Sequence, residues 1–278
     1  MEKQYKKCII SKQIQLDAIV TFHDSIYKSD FYYEGEMHDF WEVVCIIGGQ
    51  AEIVAGNNVF LLQHGQAVVH PPMEFHNLRP AGGTSMQALI VSFYASRMPD
   101  LSERIFKLTS EIVEQFQLLC QRAKSFFTFT FYNGLLTSVI EGKELEASMF
   151  LTKLEYLLHR LMTDGANVAQ PSRTQSAQTY QTILNVMEQN LDKKLSICEL
   201  AARCSIGEAN MRSIFRKYAG KGVMSYFNLM KIKKAIVYLQ EGKSVKETAL
   251  MLGFSDQNYF NTVFKRMIGV PPGKYKAP

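Results

Sequence analysis

The sequence has no apolar run long enough for a membrane-spanning helix. No stretch reaches the roughly 18 apolar residues that a span requires, and the first twenty residues hold four lysines but no unbroken apolar segment of signal-peptide length. The cysteines are odd in number and form no Cys-x-x-Cys pair, which argues against a disulfide framework and against a zinc finger. We therefore expect a cytoplasmic protein that does not associate with a membrane.

Charge is divided unevenly along the chain. A length of 278 residues predicts two domains, and a hydrophobic content of 47% argues against disorder. Residues 180–278 hold 16 Lys and Arg against 7 Asp and Glu, a net charge of +9, whereas the remainder carries −4. A basic C-terminal third favours a polyanion-binding module joined to a domain of another kind, although a solvated basic surface would give the same count.

Three patterns follow one another along the chain. Between Ile14 and Phe93, short apolar runs are separated by glycine-containing turns, as is typical of an antiparallel β sandwich or barrel. Helical spacing follows, and residues 164–179 then lose their large apolar side chains, as a linker does. The sequence predicts an α+β protein with a β-rich domain over residues 1–98, a helical extension over 99–163, a linker over 164–179 and an all-α domain over 180–278.

One apolar stripe stands out in the helical extension. Leu151, Leu154, Leu158 and Leu161 recur at helical spacing, so they share one face of a helix. This face can pack onto the barrel of its own chain, or it can pair with a second subunit. We expect a homodimer and take these leucines as its candidate contacts, while the packing alternative stays open.

The basic third contains an internal repeat. The pattern Ser-x-x-Glu occurs at Ser196 and again at Ser244, 48 residues later, and each copy fits a capping box at a helix start. Each is followed by a short turn and a second amphipathic segment, which ends in Gly220 or Gly269, suited to a left-handed helix cap. The apolar positions of these second segments, 49 residues apart, are Met211, Ile214 and Phe215 and then Phe260, Val263 and Phe264. The repeat predicts two helix-turn-helix motifs.

A helix-turn-helix places its second helix, here called the reading helix, in the major groove of DNA. Residues Met224 to Glu241 can form a connecting helix of 18 residues, roughly 27 Å long. With the width of the flanking modules, this length allows the two reading helices to enter successive major grooves, roughly 34 Å apart, on one face of double-stranded DNA. An ordinary helical bundle is the alternative, but the paired caps and the local positive charge argue against it.

The segment LSICELAARCSIGEANMRSIFRKYAGKG resembles the AraC/XylS family of bacterial transcription regulators, and GFSDQNYFNTVFKRMIGVPP, the stronger match, closely resembles the family signature. The resemblance covers about residues 180 to 276 and implies two helix-turn-helix motifs, a preceding effector-binding barrel, contact with RNA polymerase and a tendency toward activation. The sequence departs from the family pattern in its first copy. Gly207 stands where a capping Ser or Thr is common, and Ala209 and Ser213 are small where larger reading side chains are common. In the connecting helix, Lys231 replaces a usual arginine.

Outward-facing side chains of both reading helices are the candidates for contacting bases. Arg212 is the first candidate for base recognition, because a guanidinium group can bind guanine O6 and N7 together. The side-chain amides of Gln257 and Asn258 are suited to hydrogen bonds with adenine N6 and N7. The candidate base contacts are Ala209, Asn210, Arg212, Ser213, Arg216, Gln257, Asn258, Asn261, Thr262 and Lys265. The candidate phosphate contacts, which would supply affinity and salt dependence without sequence information, are Lys217, Lys231, Lys233, Lys234 and Arg266.

The β-rich segment resembles a cupin-type barrel. Glu36 to Glu42 resembles the first cupin motif, with Glu36 in place of its first histidine, and the stretch from Gly65 to His76 resembles the second, with Met73 where glycine is preferred. His38, Glu42 and His76 could hold Fe(II) or a similar ion. They could instead bind a small polar ligand or satisfy one another in a closed core. The candidate ligand-binding residues are Tyr32, Tyr33, His38, Trp41, Glu42, His76 and Arg79.

Three functions are compatible with these features. We favour a sequence-specific transcription regulator, an activator, whose barrel senses a small-molecule effector; it would not be an enzyme and would need no cofactor or metal. A metal-dependent cupin enzyme fused to a DNA-binding domain would instead contain stoichiometric iron, manganese or zinc. An architectural, ligand-independent DNA binder would be displaced equally well by unrelated duplex.

Overall fold

The computed structural model describes residues 8–101, 104–130, 135–167 and 175–275. The chain divides near residue 172 into two units, which we call the barrel unit and the helical unit. The parts of the predicted domains and linker over residues 1–7, 102–103, 131–134, 168–174 and 276–278 lie outside the described residues. Within the described part, no helix is both long and apolar enough to cross a membrane.

The barrel unit is built from two facing antiparallel sheets and two long helices. Its strands are β1 (Gln15–Tyr27), β2 (Trp41–Gly48), β3 (Gln50–Ala55), β4 (Asn58–Gln63), β5 (Gln66–His70), β6 (His76–Pro80), β7 (Met86–Arg97), β8 (Phe106–Lys107), β9 (Phe127–Phe129), β10 (Leu136–Val139) and β11 (Ala166–Asn167). The larger sheet has the order β1-β7-β2-β5-β8-β11, the smaller has the order β4-β3-β6, and β9 and β10 form a hairpin. The predicted β-rich domain is therefore confirmed in its fold class.

Strand alternation gives the larger sheet two apolar faces. In β2, Val44 and Ile46 point into the core between the two sheets, which is the barrel interior. Val43 and Cys45 point to the other face, where helices α1 (Ser110–Ala123) and α2 (Glu144–Asp164) cover the sheet. Because successive strand residues point to opposite faces, the near-continuous apolar run of β2 is explained by burial on both sides.

The leucine stripe of α2 belongs to the core of its own unit. Leu154, Leu158 and Leu161 are completely buried, and Leu151 is partly buried against the same core. Side chains enclosed between α2 and the sheet are not available to a second subunit. The dimerisation prediction for these residues is therefore wrong, and the alternative, packing onto the chain's own barrel, is correct.

The predicted internal boundaries also need correction. The helical extension is not separate from the sheet, because β8 and β11 continue its edge beyond β5. The predicted linker is structured at both ends, with Asp164 inside α2, Ala166 and Asn167 in β11, and helix α3 (Gln175–Glu188) beginning before Tyr180. A polar composition is typical of helix termini as well as of linkers, so composition alone could not distinguish the two.

The helical unit contains the two predicted motifs. Its helices are α3, α4 (Ile197–Arg203), α5 (Glu208–Ala219), α6 (Val223–Gln240), α7 (Val245–Met251) and α8 (Gln257–Ile268), followed by a 3₁₀ turn (Pro272–Lys274). Complete capping boxes begin α4 at Ser196 and α7 at Ser244. Gly220 and Gly269 end α5 and α8 in the left-handed conformation, with φ of 59° and 86°. Both helix-turn-helix motifs and the connecting helix α6 are confirmed.

The two motifs have equivalent turns built from different residues. Ser205 and Gly253, 48 positions apart, both adopt left-handed backbone, with φ of 54° and 62°. Only the second turn is crowded, because a Cβ at Gly253 would lie 2.3 Å from the carbonyl oxygen of Asp192. Glycine at 253 therefore permits close approach to the α3–α4 connection as well as the backbone conformation.

Gly253→Ala is expected to lower the free energy of unfolding of the helical unit by about 1–3 kcal/mol, because the new Cβ collides with Asp192 and strains the left-handed backbone. Ser205→Gly is the matched control at the equivalent position. It should leave that free energy unchanged or raise it by up to about 1 kcal/mol. Urea denaturation followed by circular dichroism measures both, and equal losses for the two variants would contradict the assignment.

Candidate functional site

The reading helices α5 and α8 expose polar side chains at equivalent positions. Met211, Ile214 and Phe215 of α5 are buried, as are Phe260, Val263 and Phe264 of α8, so the opposite face of each helix is turned outward. The predicted base contacts that the structure leaves exposed are Ala209, Asn210, Arg212, Ser213, Arg216, Gln257, Asn258, Thr262 and Lys265. The helix face was thus predicted correctly from apolar spacing alone, while base contact itself stays a prediction.

Two residues of α8 differ from expectation. Asn261 is only half exposed, and its Oδ1 is buried with no hydrogen-bond partner among the described residues. Tyr259, which the sequence analysis omitted, is 48% exposed on the same helix. Tyr259 lies 49 residues after Asn210, a predicted base contact, and 49 residues is the offset between the two repeats. This offset is the sequence signal that could have identified Tyr259 as a further candidate.

The starts of the two reading helices are stabilised differently. The Asp256 side chain accepts a hydrogen bond from the Tyr259 backbone N–H at 2.7 Å and so caps α8. Helix α5 begins after Gly207, which makes no side-chain cap bond. The first turn of α5 instead carries an exposed ion pair, Arg212 Nη2 to Glu208 Oε2 at 3.3 Å. Arg212 is therefore presented on the outer surface beside a carboxylate that DNA phosphates would repel.

Lys231 does not belong among the phosphate contacts. Its side chain is buried, and its Nζ donates hydrogen bonds of 2.7 Å to the carbonyl oxygens of Lys193 and Leu252. The ammonium also lies over the rings of Phe227 and Phe254. Burial lowers the pKa of Lys231 to about 8, against an opposing effect of Asp192. The basic run around it suggested a surface role, but position 231 lies on the inner face of α6.

The remaining predicted phosphate contacts keep some solvent exposure. Lys217, Lys234 and Arg266 are exposed and Lys233 is half-buried. Lys217 Nζ also donates to Ser176 Oγ at 3.1 Å. Phosphate contact stays a prediction for these four residues.

Lys231→Met is expected to destabilise the helical unit by about 1–3 kcal/mol, because it leaves the buried Leu252 carbonyl and the partly buried Lys193 carbonyl without their donor. The salt dependence of DNA binding should keep its wild-type slope. Lys234→Met, an exposed change on the same helix, is the control and should leave stability unaltered. Thermal unfolding and affinity measured over a series of salt concentrations test both variants; a reduced salt slope with unchanged stability for Lys231→Met would contradict the structural role.

The barrel interior contains a row of polar residues that crosses four adjacent strands. Strand pairing places Thr21 of β1 opposite Ser92 of β7, Ser92 opposite Glu42 of β2, and Glu42 opposite His70 of β5. All four are buried. Ser92 Oγ donates to Glu42 Oε2 at 2.8 Å and lies 2.7 Å from Thr21 Oγ1, which must therefore be the donor of that second bond. The row fixes one oxygen of the Glu42 carboxylate.

Four side chains converge beside this row: Glu36, His38, Glu42 and His76. Their possible ligand atoms all lie within 4.8 Å of one another. His76 Nε2 is 3.3 Å from Glu42 Oε1 and 3.8 Å from Glu36 Oε1, and His38 Nε2 is 3.8 Å from Glu42 Oε2. We call these four residues the barrel cluster. The structure thus brings together the three residues predicted for a metal alternative and adds Glu36.

The two cluster imidazoles are held by backbone carbonyls. His38 Nδ1 lies 3.0 Å from the Phe40 carbonyl oxygen, and His76 Nδ1 lies 3.0 Å from that of Glu74. Since a carbonyl can only accept, each Nδ1 donates and each Nε2 is directed into the cluster. Both Nε2 atoms are buried, and the nearest acceptors to them are the carboxylate oxygens of Glu42 and Glu36.

Burial and charge act against each other in the cluster. Burial alone would raise the pKa of Glu42, but the adjacent His38 and His76 outweigh it and hold that pKa well below its usual range. Burial would lower the pKa of His76, but the carboxylates of Glu42 and Glu36 raise it overall. His70, stacked on His76, has its pKa lowered by burial. Glu42 is therefore an anion in an otherwise enclosed site.

The two cupin-like motifs meet through backbone contacts. Glu36 and His76 exchange backbone hydrogen bonds of 2.9 and 3.0 Å, and the Met73 N–H donates to the His38 carbonyl at 2.6 Å. Met73 has φ of 63°, which explains why the motif prefers glycine there. These contacts bring residues about 40 positions apart in the sequence into one cluster.

Two predicted ligand-binding residues lie elsewhere. Trp41 precedes Glu42 in β2, so it points to the opposite face and packs against the core under the helices. Arg79 is on the face of β6 opposite His76 and Leu78, where it forms an ion pair with Glu52. Their assignment to the ligand site is wrong. Tyr32 and Tyr33, 50% and 36% exposed, lie between β1 and β2, and their role stays a prediction.

Sequence reasoning missed several polar residues around the cluster. Glu36 was noted only as a replacement for histidine, and Thr21, His70 and Ser92 were not considered. Alternation within each strand indicates that each of them could face the interior. Their proximity depends on strand order and register, which the sequence pattern did not supply.

Together, the duplicated helix-turn-helix and the barrel with its polar cluster define a DNA-binding protein with a separate ligand-binding domain. Residues 21–172 match the family model described as the AraC-like ligand binding domain, and residues 200–277 match a helix-turn-helix domain. The first match alone covers more than half of the chain. The chain therefore belongs to the AraC family of transcription regulators, as its sequence resemblance implied.

Relatives in this family are distant. The chain is 27% identical over 237 residues to the uncharacterized HTH-type transcriptional regulator YidL of Escherichia coli, covering 84% of this chain and 73% of that protein. It is 23% identical over 245 residues to the HTH-type transcriptional activator Btr of Bacillus subtilis, covering 84% of this chain but 44% of Btr. A solved structure of fatty acid-bound ToxT from Vibrio cholerae is 13% identical and covers 94% of this chain and 91% of its own, with a TM-score of 0.35.

Proposed function

We propose that the protein is a sequence-specific transcription activator whose DNA affinity is controlled by a small molecule bound in the barrel unit. The observation that carries this proposal is the pair of capped helix-turn-helix motifs, each with an exposed polar face at equivalent positions of α5 and α8. The relative Btr, named as a transcriptional activator, supports activation over repression. Activation implies contact with RNA polymerase in the cytoplasm.

Base recognition would differ between the two reading helices. Arg212 on α5 offers a guanidinium suited to guanine, whereas Gln257 and Asn258 on α8 offer amides suited to adenine. The α5 positions related by the repeat to Gln257 and Asn258 are Glu208 and the small Ala209. We therefore expect the α8 half-site to be read through more side chains than the α5 half-site.

The connection between the motifs supports simultaneous binding to two grooves. The helix α6 is continuous over 18 residues, and Lys231 ties it to the segment before α4 and to the end of α7. Rigid linkage reduces the entropy lost when the second reading helix follows the first onto the duplex. A homodimer would extend the recognised sequence further, through surfaces other than the leucine stripe.

A bound ligand can regulate only by favouring one state over another. It must have different affinities for states that are competent and incompetent to bind DNA, since a ligand bound equally by both shifts nothing. The barrel unit presents a few convergent polar groups, Glu36, His38, Glu42 and His76, and small-molecule sites commonly contain such groups. We propose no catalytic role for it.

Arg212→Ala is expected to relax preference at one half-site, with a loss of about 1–3 kcal/mol in discrimination at the base it contacts. Arg266→Ala, an exposed change on α8, should weaken binding to all sequences and lower the salt slope by about one unit.

Fragments selected from random genomic DNA by the full chain, with and without cell extract as a source of effector, provide the sites for these measurements. Equal losses on every sequence for both variants would contradict this division, and competition by unrelated duplex as effective as by a selected site would refute specific binding.

A further inference from the structure

We propose that a groove between α1 and α2 of the barrel unit binds a small amphipathic anion, a carboxylate carried on an apolar body. We call this cavity the α1–α2 groove. It has a volume of about 400 Å³ and is lined by α1, by α2 and by the segment between α1 and β9. The helices cover the face of the larger sheet opposite the barrel interior, so the groove is separate from the barrel cluster. The inference does not depend on the proposed function.

The two helices run antiparallel along the groove. Arg160 Nη2 of α2 lies 3.4 Å from Glu111 Oε2 at the start of α1, and Lys153 Nζ donates to Gln115 Oε1 at 2.7 Å one turn later on α1. Arg122 follows Gln115 by seven residues, which is roughly 10 Å along the helix axis. Lys153 and Arg122 both line the groove, so one cation stands toward each of its ends.

The walls between these two cations are apolar. Leu118 and Leu119 of α1, Met149 and Phe150 of α2, and Phe126 line the groove. Leu119, Phe126 and Phe150 are buried, and the rings of Phe126 and Phe150 meet edge to face at 5.6 Å. Leu118 and Met149, in contrast, are 53% and 63% exposed. Two large apolar side chains beside an aromatic floor leave apolar surface that a ligand body can cover.

The charge of Lys153 is not neutralised by any carboxylate of the described residues. Its ammonium bonds the neutral amide of Gln115 and lies 4.6 Å from the centre of the Tyr156 ring. Arg160, on the same helix, pairs instead with the carboxylate of Glu111. Because Lys153 is half-buried, water and salt screen its charge less than they would at a fully exposed position. A charge of this kind beside apolar surface favours an anionic partner.

The other end of the groove adds positive charge. Arg122 is exposed, and its side chain forms no hydrogen bond or ion pair within the described ranges. Of the described residues that line the groove, Glu146 alone carries a carboxylate, and it is engaged by Lys143 at 2.8 Å. Two cations therefore line the groove against one carboxylate that already has a partner, which selects an anion over a cation.

These features define the chemistry of the occupant. Its anionic group accepts hydrogen bonds from Lys153, and its apolar body lies along Leu118 and Met149 over the ring of Phe126. The volume of about 400 Å³ falls in the range of roughly 300–1,000 Å³ that is typical of small-molecule sites. A simple inorganic anion would leave the apolar walls uncovered, and a neutral apolar molecule would leave Lys153 without an anionic partner.

The test uses the full chain and two fluorescent probes with the same aromatic body. Anilinonaphthalene sulfonate carries an anionic group that stands in for the carboxylate, whereas phenylnaphthylamine is neutral. We expect one molecule of the anionic probe per chain in the groove, displaced more effectively by phenylbutyrate than by phenylbutanol. Lys153→Met should weaken binding of the anionic probe by about 10-fold, because a charge-assisted hydrogen bond is lost, and should leave the affinity for the neutral probe unchanged.

Met149→Glu places a carboxylate in the groove and should weaken the anionic probe by more than about 10-fold. Leu145→Glu is the matched control, because Leu145 is 73% exposed on the same helix but does not line the groove. It should bind both probes as wild type does. Circular dichroism of each variant checks the fold, and sedimentation gives its mass in solution.

The same affinity for the anionic probe in folded wild-type, Lys153→Met and Met149→Glu proteins would overturn the site. Losses of equal size for the two probes in Lys153→Met would also overturn it, because the ammonium would then have no part in selecting an anion. If Leu145→Glu and Met149→Glu both convert a dimer into monomers and both abolish probe binding, this face is an interface between two copies of the chain and the proposal fails.

Discussion

The buried ammonium of Lys231 sets the relation between the two helix-turn-helix motifs. It satisfies one carbonyl from the segment before α4 and one at the end of α7, so a single group joins both motifs to the connecting helix. A buried cation is costly without partners, and here two carbonyl oxygens and two aromatic rings compensate for its lost hydration. Gly253 adds to the same junction by letting the second turn approach Asp192. The spacing of the reading helices depends on this junction.

The barrel unit has its own constraint, which is the register of the larger sheet. Pairing of β1, β7, β2 and β5 aligns Thr21, Ser92, Glu42 and His70 in one interior row. A shift of one residue in any pair would turn a polar side chain toward the helices and an apolar one into the row. The same register places the Glu42 side chain next to those of His38 and His76. The chemistry of the cluster therefore depends on the packing that keeps the strands aligned.

Much of the helical unit could be predicted because its signals are local. A capping box occupies four consecutive residues, a left-handed cap needs one glycine, and apolar spacing identifies the buried face of a helix. These signals gave the motifs at Ser196 and Ser244 and the outward face of α5. They failed for Lys231, because a lysine in a basic run has the same local pattern whether it faces solvent or two carbonyl groups. Local signals also could not show whether the leucines of α2 pack against the chain's own barrel or against a second subunit.

The sequence by itself determined the duplicated motif, the concentration of positive charge in the C-terminal third and the presence of two cupin-like segments, since each is a property of neighbouring residues. Only the tertiary structure decided that Lys231 is internal, that Trp41 and Arg79 face away from the cluster, and that Glu36 joins it. Those outcomes depend on strand order, register and helix packing, which bring together residues distant in the chain. Contacts of that kind leave no periodic pattern in the sequence.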